Sequence, residues 1–199
     1  VAEYVFKLNN TQASLILMVF FIVSVSAMPL WFLLARRTEK NIAFRTATLF
    51  AAVSYLLYFF MGQVGGFWPL FIGAIINGVA FSAPIVLTRS MTADVVEWQA
   101  ARSGENRAGI YYALLTSAYK VGSSLAFGVG YLMVAQLAGF RPGQDNSPEA
   151  INGLLMIFCL LPAGLYLAAS IASWTYPLSR AMQQDVARSL DPRGPQTLD

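Results

Sequence analysis

Apolar residues in this chain gather in long unbroken runs. Residues 14–35, 67–88 and 151–176 contain no Asp, Glu, Lys or Arg, while 41–62 is interrupted once, by Arg45, and 110–140 once, by Lys120. About 20 apolar residues cross the hydrocarbon core of a bilayer as a helix, the form that pairs every backbone polar group without water. The pattern therefore predicts an all-α, polytopic membrane protein with five full transmembrane helices. Buried helices of a soluble core would need long polar helices to cover them, and the sequence has none. Nor is 14–35 a signal peptide: it is too long for an h-region, and no A-x-A-like site follows it.

Lys and Arg between the runs set the orientation. Arg36, Arg37, Lys40 and Arg45 follow the first run, Arg89, Arg102 and Arg107 follow the third, and Arg180, Arg188 and Arg193 lie in the tail, so ten of the 13 cations fall on one side. That side is assigned to the cytoplasm, which puts the C-terminus inside and the start of the first full span outside a cell (inner) membrane. Residues 1–8, VAEYVFKL, precede the turn-like Asn9-Asn10-Thr11 and read as the outer end of a transmembrane helix that is mostly missing. The chain begins at Val1 rather than Met, in keeping with a product that starts part-way. Five spans plus such an end make a six-helix unit short of its first helix, and six-helix halves are the building blocks of one large transporter class. The transmembrane bundle is taken as 9–176. In the tail, 177–199, Leu178, Met182, Val186 and Leu190 recur every four residues before Pro192, Gly194 and Pro195, predicting a short amphipathic cytoplasmic helix.

Composition agrees with a bilayer partner: 57% of the 199 residues are apolar and 12% charged, where soluble domains carry about 25% charged residues. Net charge is +3 without basic tracts, which excludes a nucleic-acid partner. The lone Cys159 and the lack of His remove a disulfide framework, the usual metal ligands and imidazole catalysis. No nucleophile–base pair is visible, so an enzyme is not expected, and neither is a resident cofactor or metal.

Lys120 is the most informative side chain, because an ammonium at mid-span costs about 2.5–3.5 kcal/mol on insertion scales. At 100° per residue its face also holds Ala113, Thr116, Ser117, Ser123, Ser124, Phe127 and Tyr131, a polar stripe suited to a watery cavity and to hydroxyl-rich solutes. The alternative is a lysine snorkelling to the interface. On the other side, Ala118, Gly122, Ala126 and Gly130 place a small residue every fourth position for close helix packing. Asn77, mid-way along the third run and before Pro84, is equally suited to a substrate hydroxyl and to bridging two helices. Pro84 deprives the Ala80 carbonyl of its helical donor, so a kink or local unwinding is expected. No carboxylate lies inside a full span, so a cation site of the kind that needs buried Asp or Glu is expected outside this segment. In the cytoplasmic connection Asp94 and Glu97 share a helical face, followed by Arg102 and Arg107. They read either as a solvated surface or as a gate whose weak ion pairs bias a conformational equilibrium.

The stretch ADVVEWQAARSGENRAGIYYALLTSAYKVGSSLA, residues 93–126, resembles the loop between helices 10 and 11, and helix 11 itself, of the glycoside–pentoside–hexuronide:cation symporters, the melibiose-carrier branch of the major facilitator superfamily. Asp94, Glu97, Arg102, Ser103, Gly104, Arg107, Gly109 and Lys120 carry the likeness, and Ala108 stands where that family often has Glu. MPLWFLLARRTEKN is similar to the helix 8–9 connection, with Glu39 where a glycine is common, and SPEAINGLLMIFCLLPAGLYL to the start of helix 12. The resemblance implies the C-terminal six-helix bundle of a major facilitator fold, with Lys120 and Thr116 facing the central cavity and Asp94, Glu97 and Arg107 in cytoplasmic gating contacts. It further implies transport of a sugar or glycoside coupled to Na⁺ or H⁺ by alternating access. Such a transporter needs an N-terminal half as partner, and that half holds the main sugar-binding carboxylates and the cation site. Two other readings stay open: a truncated, non-transporting membrane subunit, and a relative moving a non-sugar solute such as a lipid.

Overall fold

The computed structural model describes residues 1–176; the tail, with its predicted amphipathic helix, lies outside the described residues. Five helices follow one another: α1 (Asn10–Arg37), α2 (Lys40–Val64), α3 (Phe67–Ser103), α4 (Ala108–Gln136) and α5 (Pro148–Ala172), the last running into a single 3₁₀ turn at Ser173–Thr175. Among the described residues four helical rods, α1, α2, α3 and Pro148–Thr175, are long and apolar enough to cross a membrane. With 29 residues, α4 has the length, but Lys120 and its hydroxyl stripe dilute the apolar content.

Local chemistry fixes the helix ends. Asn9 opens α1 with a capping box, its side chain accepting from the Gln12 amide at 2.8 Å while Gln12 reaches back to the Asn9 amide. Ser147 caps α5, followed by Pro148, whose missing N–H is no loss at that position. The connection after residue 88, in which Asp94 and Glu97 are expected to share a helical face, continues the helix: α3 runs to Ser103, for no Gly or Pro intervenes before Gly104. That glycine, at φ +70°, takes the left-handed conformation that stops the helix. Similarly α4 stops at Gln136, short of the expected residue 140, because Gly139 adopts φ +65°. Residues 2–6 form hydrogen-bonded turns, and Phe6 and Leu8 are buried against Ile16, Leu70 and Ala74.

Packing runs in a chain: α1 lies on α3, α3 on α2 and α2 on α5, whereas α4 touches α3 and α5 only sparsely. Small residues bring the tight pairs together. A Cβ built on Gly78 would sit 2.9 Å from the Phe20 backbone oxygen, so α1 and α3 approach to near backbone contact there. Along α2, Ala43, Ala47 and Ala51 repeat at four-residue spacing and are all buried, the first two beside Trp31, Ala83 and Leu87. The Trp31 indole donates to the Val79 carbonyl at 2.8 Å, next to Ala80, whose carbonyl loses its helical donor at Pro84.

The close packing expected along Ala118, Gly122, Ala126 and Gly130 is not found among the described residues. Nothing approaches within 4 Å of a Cβ on Gly122 or Gly130, and no residue of α4 is fully buried. The large apolar side chains on the outside, such as Phe21, Val25, Phe60 and Leu165, are those a bilayer would cover.

Candidate functional site

At one end of the bundle the cation-bearing segments converge. The Lys40 ammonium, at the start of α2, donates to the Asp94 carboxylate of α3 at 2.6 Å, and both side chains are mostly buried. The Arg45 guanidinium lies over the Trp174 ring, 4.9 Å from its centre, and the Tyr176 hydroxyl donates to the Met91 carbonyl at 3.3 Å. Thus the C-terminal end of α3, the N-terminal end of α2 and the exit of α5 are joined at the end carrying most of the cations. The opposite end gathers Tyr4, whose hydroxyl accepts from the Gly143 amide, and Gln63, which bonds Asn152 across α2 and α5.

The four gate candidates do not pair with one another in this arrangement. Asp94 holds Lys40, 54 residues away in sequence, which the charge pattern counted as a topology signal and not as a gate member. Arg107 makes a two-pronged contact with Glu105 at 2.6 and 2.8 Å, Arg102 lies over Trp98 at 4.7 Å, and Glu97 is exposed.

Lys120 is the thirteenth residue of α4, about 18 Å along its axis at 1.5 Å per residue. Tyr111, Leu115 and Ala118 turn toward α3 and α5, so the helical period sets Lys120 and Thr116 on the far side, with Ser117 and Ser124 flanking them. All four are exposed and Ser123 is half-buried, leaving a polar stripe on an open surface of the bundle.

Asn77 belongs elsewhere. It is buried between α2 and α3, where its Oδ1 accepts from Ser54 at 3.1 Å and its amide donates to the Gly73 carbonyl at 3.0 Å. The carbonyl end thereby joins the two helices, while the amide end bonds back within α3. It borders a cavity of about 330 Å³ lined mainly by apolar side chains, Phe20, Phe81 and Phe158 among them. Among the described residues no three His, Cys, Asp or Glu side chains gather as a metal site.

Residues 1–180 match the family model described as MFS/sugar transport protein. The chain belongs to this family of transport proteins. Membership and the long apolar helices make it a multi-pass membrane protein of a transporter family and not an enzyme. It is 24% identical over 194 residues to the glucuronide carrier protein homolog of Escherichia coli (strain K12), a match covering 96% of this chain and 41% of that protein. It is 27% identical over 194 residues to a protein of Synechocystis sp. called an uncharacterised symporter, covering 94% of this chain and 35% of the other. A Bacillus subtilis (strain 168) protein, also called an uncharacterised symporter, is 27% identical over 106 residues, covering 53% of the chain and 23% of its own length. The chain thus spans less than half the length of the curated relatives it matches. No solved structure matches it at significant similarity.

Proposed function

We propose that this chain is the C-terminal half of a sugar:cation symporter that works by alternating access, with α4 forming one wall of the cavity between two halves. The observation that carries the reading is the outward stripe of α4 in a chain of the sugar-transporter family: Lys120, Thr116, Ser117, Ser123 and Ser124 lie on an open side of the bundle. A mid-helix ammonium is costly against lipid, and facing a watery cavity relieves that cost. There Lys120 donates to substrate hydroxyls or to a substrate carboxylate, with the neighbouring hydroxyls as further donors and acceptors. The name of the Escherichia coli relative, a glucuronide carrier homolog, supports sugar-like substrates bearing a carboxylate, for which a lysine is the natural counter-charge.

Coupling is assigned to the partner half, since the spans of this chain carry no Asp or Glu to hold Na⁺ or exchange H⁺. At the cytoplasmic end of an inner-membrane protein whose C-terminus is inside, Asp94 and Lys40 form a latch, and Glu97, Arg102 and Arg107 line the mouth beside it. The latch closes in one state and separates in the other. In membrane vesicles bearing the whole transporter, Lys120→Ala should abolish most sugar uptake while insertion and expression stay normal. Uptake equal to the unsubstituted protein would remove Lys120 from the cavity and with it this reading.

A further inference from the structure

Arg45, early in α2, has a buried Nε with no hydrogen-bond partner, and so does the Asn41 Oδ1 one turn before it on the same face. They are the two such side-chain atoms among the described residues, and neither ion pair there includes Arg45. A buried donor or acceptor left unmade costs about 1–3 kcal/mol, and more when it is charged, so the site calls for a partner from outside the chain. We propose that this partner is the headgroup of an anionic phospholipid, held by Arg45, Asn41 and Trp174 on the seam between α2 and α5.

Depth, shape and charge agree on that occupant. The 25 residues of α2 span about 37 Å against a bilayer apolar thickness of about 30 Å, so Arg45, about 7.5 Å from the helix start, lies just inside the edge of the hydrocarbon. Helical side chains lean toward the N-terminus, which lets the guanidinium reach back to the level of the lipid phosphates. Beside it the Trp174 ring is exposed, its centre 4.9 Å from the guanidinium carbon, in keeping with the aromatic residues that mark membrane interfaces. Deeper along the same seam the surface turns apolar. Leu49 and Leu56 share the face of Arg45 on α2, Leu167 and Ile171 that of Trp174 on α5, and all four are exposed. The surface thus runs from charged to apolar in the order in which a phospholipid does, and it offers nothing polar to a water-filled cavity. Arg36 and Arg37 in the last turn of α1 and Lys40 at the start of α2 lie at this same end, which favours an anionic lipid over a zwitterionic one. A phosphodiester supplies paired acceptors to the guanidinium fork. A glycerol hydroxyl on the headgroup supplies the donor that Asn41 Oδ1 lacks, which makes phosphatidylglycerol the fitting probe. The site is independent of what the transporter carries.

The whole transporter, purified in a neutral detergent, tests the proposal with added phosphatidylglycerol, phosphatidylcholine or inorganic phosphate. Phosphatidylglycerol should raise Tm by several degrees, as a ligand of the folded state does, and the other two should not. Arg45→Gln should lose at least half of that rise, whereas Arg141→Gln, exposed at the opposite end of the bundle, should keep it. A full rise in Arg45→Gln means that Arg45 is held by another protein segment, and the proposal fails. An equal rise with phosphatidylcholine shows unselective lipid filling, and one with inorganic phosphate shows an anion site without a lipid; either result overturns it. Native mass spectrometry gives a second reading on Arg45→Lys, which keeps the charge and loses the two-pronged grip. Retention of phosphatidylglycerol over phosphatidylcholine should fall at least threefold in that variant, and equal retention overturns the proposal.

Discussion

A carboxylate and an ammonium 2.6 Å apart, with side chains only 10% and 26% exposed, form the more buried of the two ion pairs among the described residues. Breaking a buried pair by removing one partner leaves the other charge stranded, whereas an exposed pair is worth about 0–1 kcal/mol. Between these regimes, Asp94→Asn should destabilise that end of the bundle and Lys40→Asp combined with Asp94→Lys should recover it. A double-mutant cycle on thermal unfolding should return a coupling of about 1–3 kcal/mol, and strict additivity would mean that the contact carries no energy. By contrast Arg107→Gln should be near neutral for stability, since its partner Glu105 is exposed and only two residues away. Which charges mattered was partly legible from the residues alone: Lys120 stands out because a charge inside an apolar run is expensive, and Asp94 because it begins a patterned polar stretch. The partner of Asp94 was not, because nothing local links residues 40 and 94. Asn77 was legible as a polar atom needing satisfaction; only the fold shows that Ser54 and the Gly73 carbonyl satisfy it.

Helices were readable as runs, but their lengths and partners followed different physics. The run of 67–88 ends where charges begin, yet the helix ends at the first left-handed glycine, Gly104, because charge ends a membrane span and does not end a helix. Small-residue spacing was equally present in α2, α3 and α4, and spacing alone does not say which stripe finds a neighbour. The structure gives the contacts to Gly78 of α3 and Ala43, Ala47 and Ala51 of α2. Gly78→Val should therefore cost about 1–3 kcal/mol, as overpacking does, because the Phe20 carbonyl oxygen that a Cβ meets is backbone. In the same chain Gly122→Ala should be neutral for unfolding, since nothing lies within 4 Å of its added Cβ. A Tm fall for Gly122→Ala as large as that for Gly78→Val would contradict the packing described. Trp31→Phe keeps most of the ring and loses the bond to the Val79 carbonyl, and a loss of about 0.5–1.5 kcal/mol is expected.

At the scale of the molecule, four helical rods form a bundle while α4 presents its polar stripe outward and leaves its small residues without close neighbours. Expressed by itself and reconstituted, residues 1–199 should insert as a multi-pass protein but not accumulate sugar against a gradient; cation-driven uptake by the lone chain would refute the assignment of coupling to a partner half. The hydropathy runs made the membrane class plain, whereas the weak docking of α4 was invisible to them, because a run reports solubility in lipid and not which helix touches which. The continuity of α3 through Pro84 to Ser103 has a mechanical consequence. Its 37 residues extend about 55 Å, well beyond the roughly 30 Å apolar thickness of a bilayer, so a bend at Pro84 would turn the part past it into a lever arm. Asp94 sits ten residues from that fulcrum, about 15 Å along the axis. A swing of about 20° at the proline, the size of a sharp helix kink, would carry it about 5 Å. That displacement exceeds the 2.6 Å between Lys40 and Asp94, so under the latch proposed above such a rotation would be enough to part the pair.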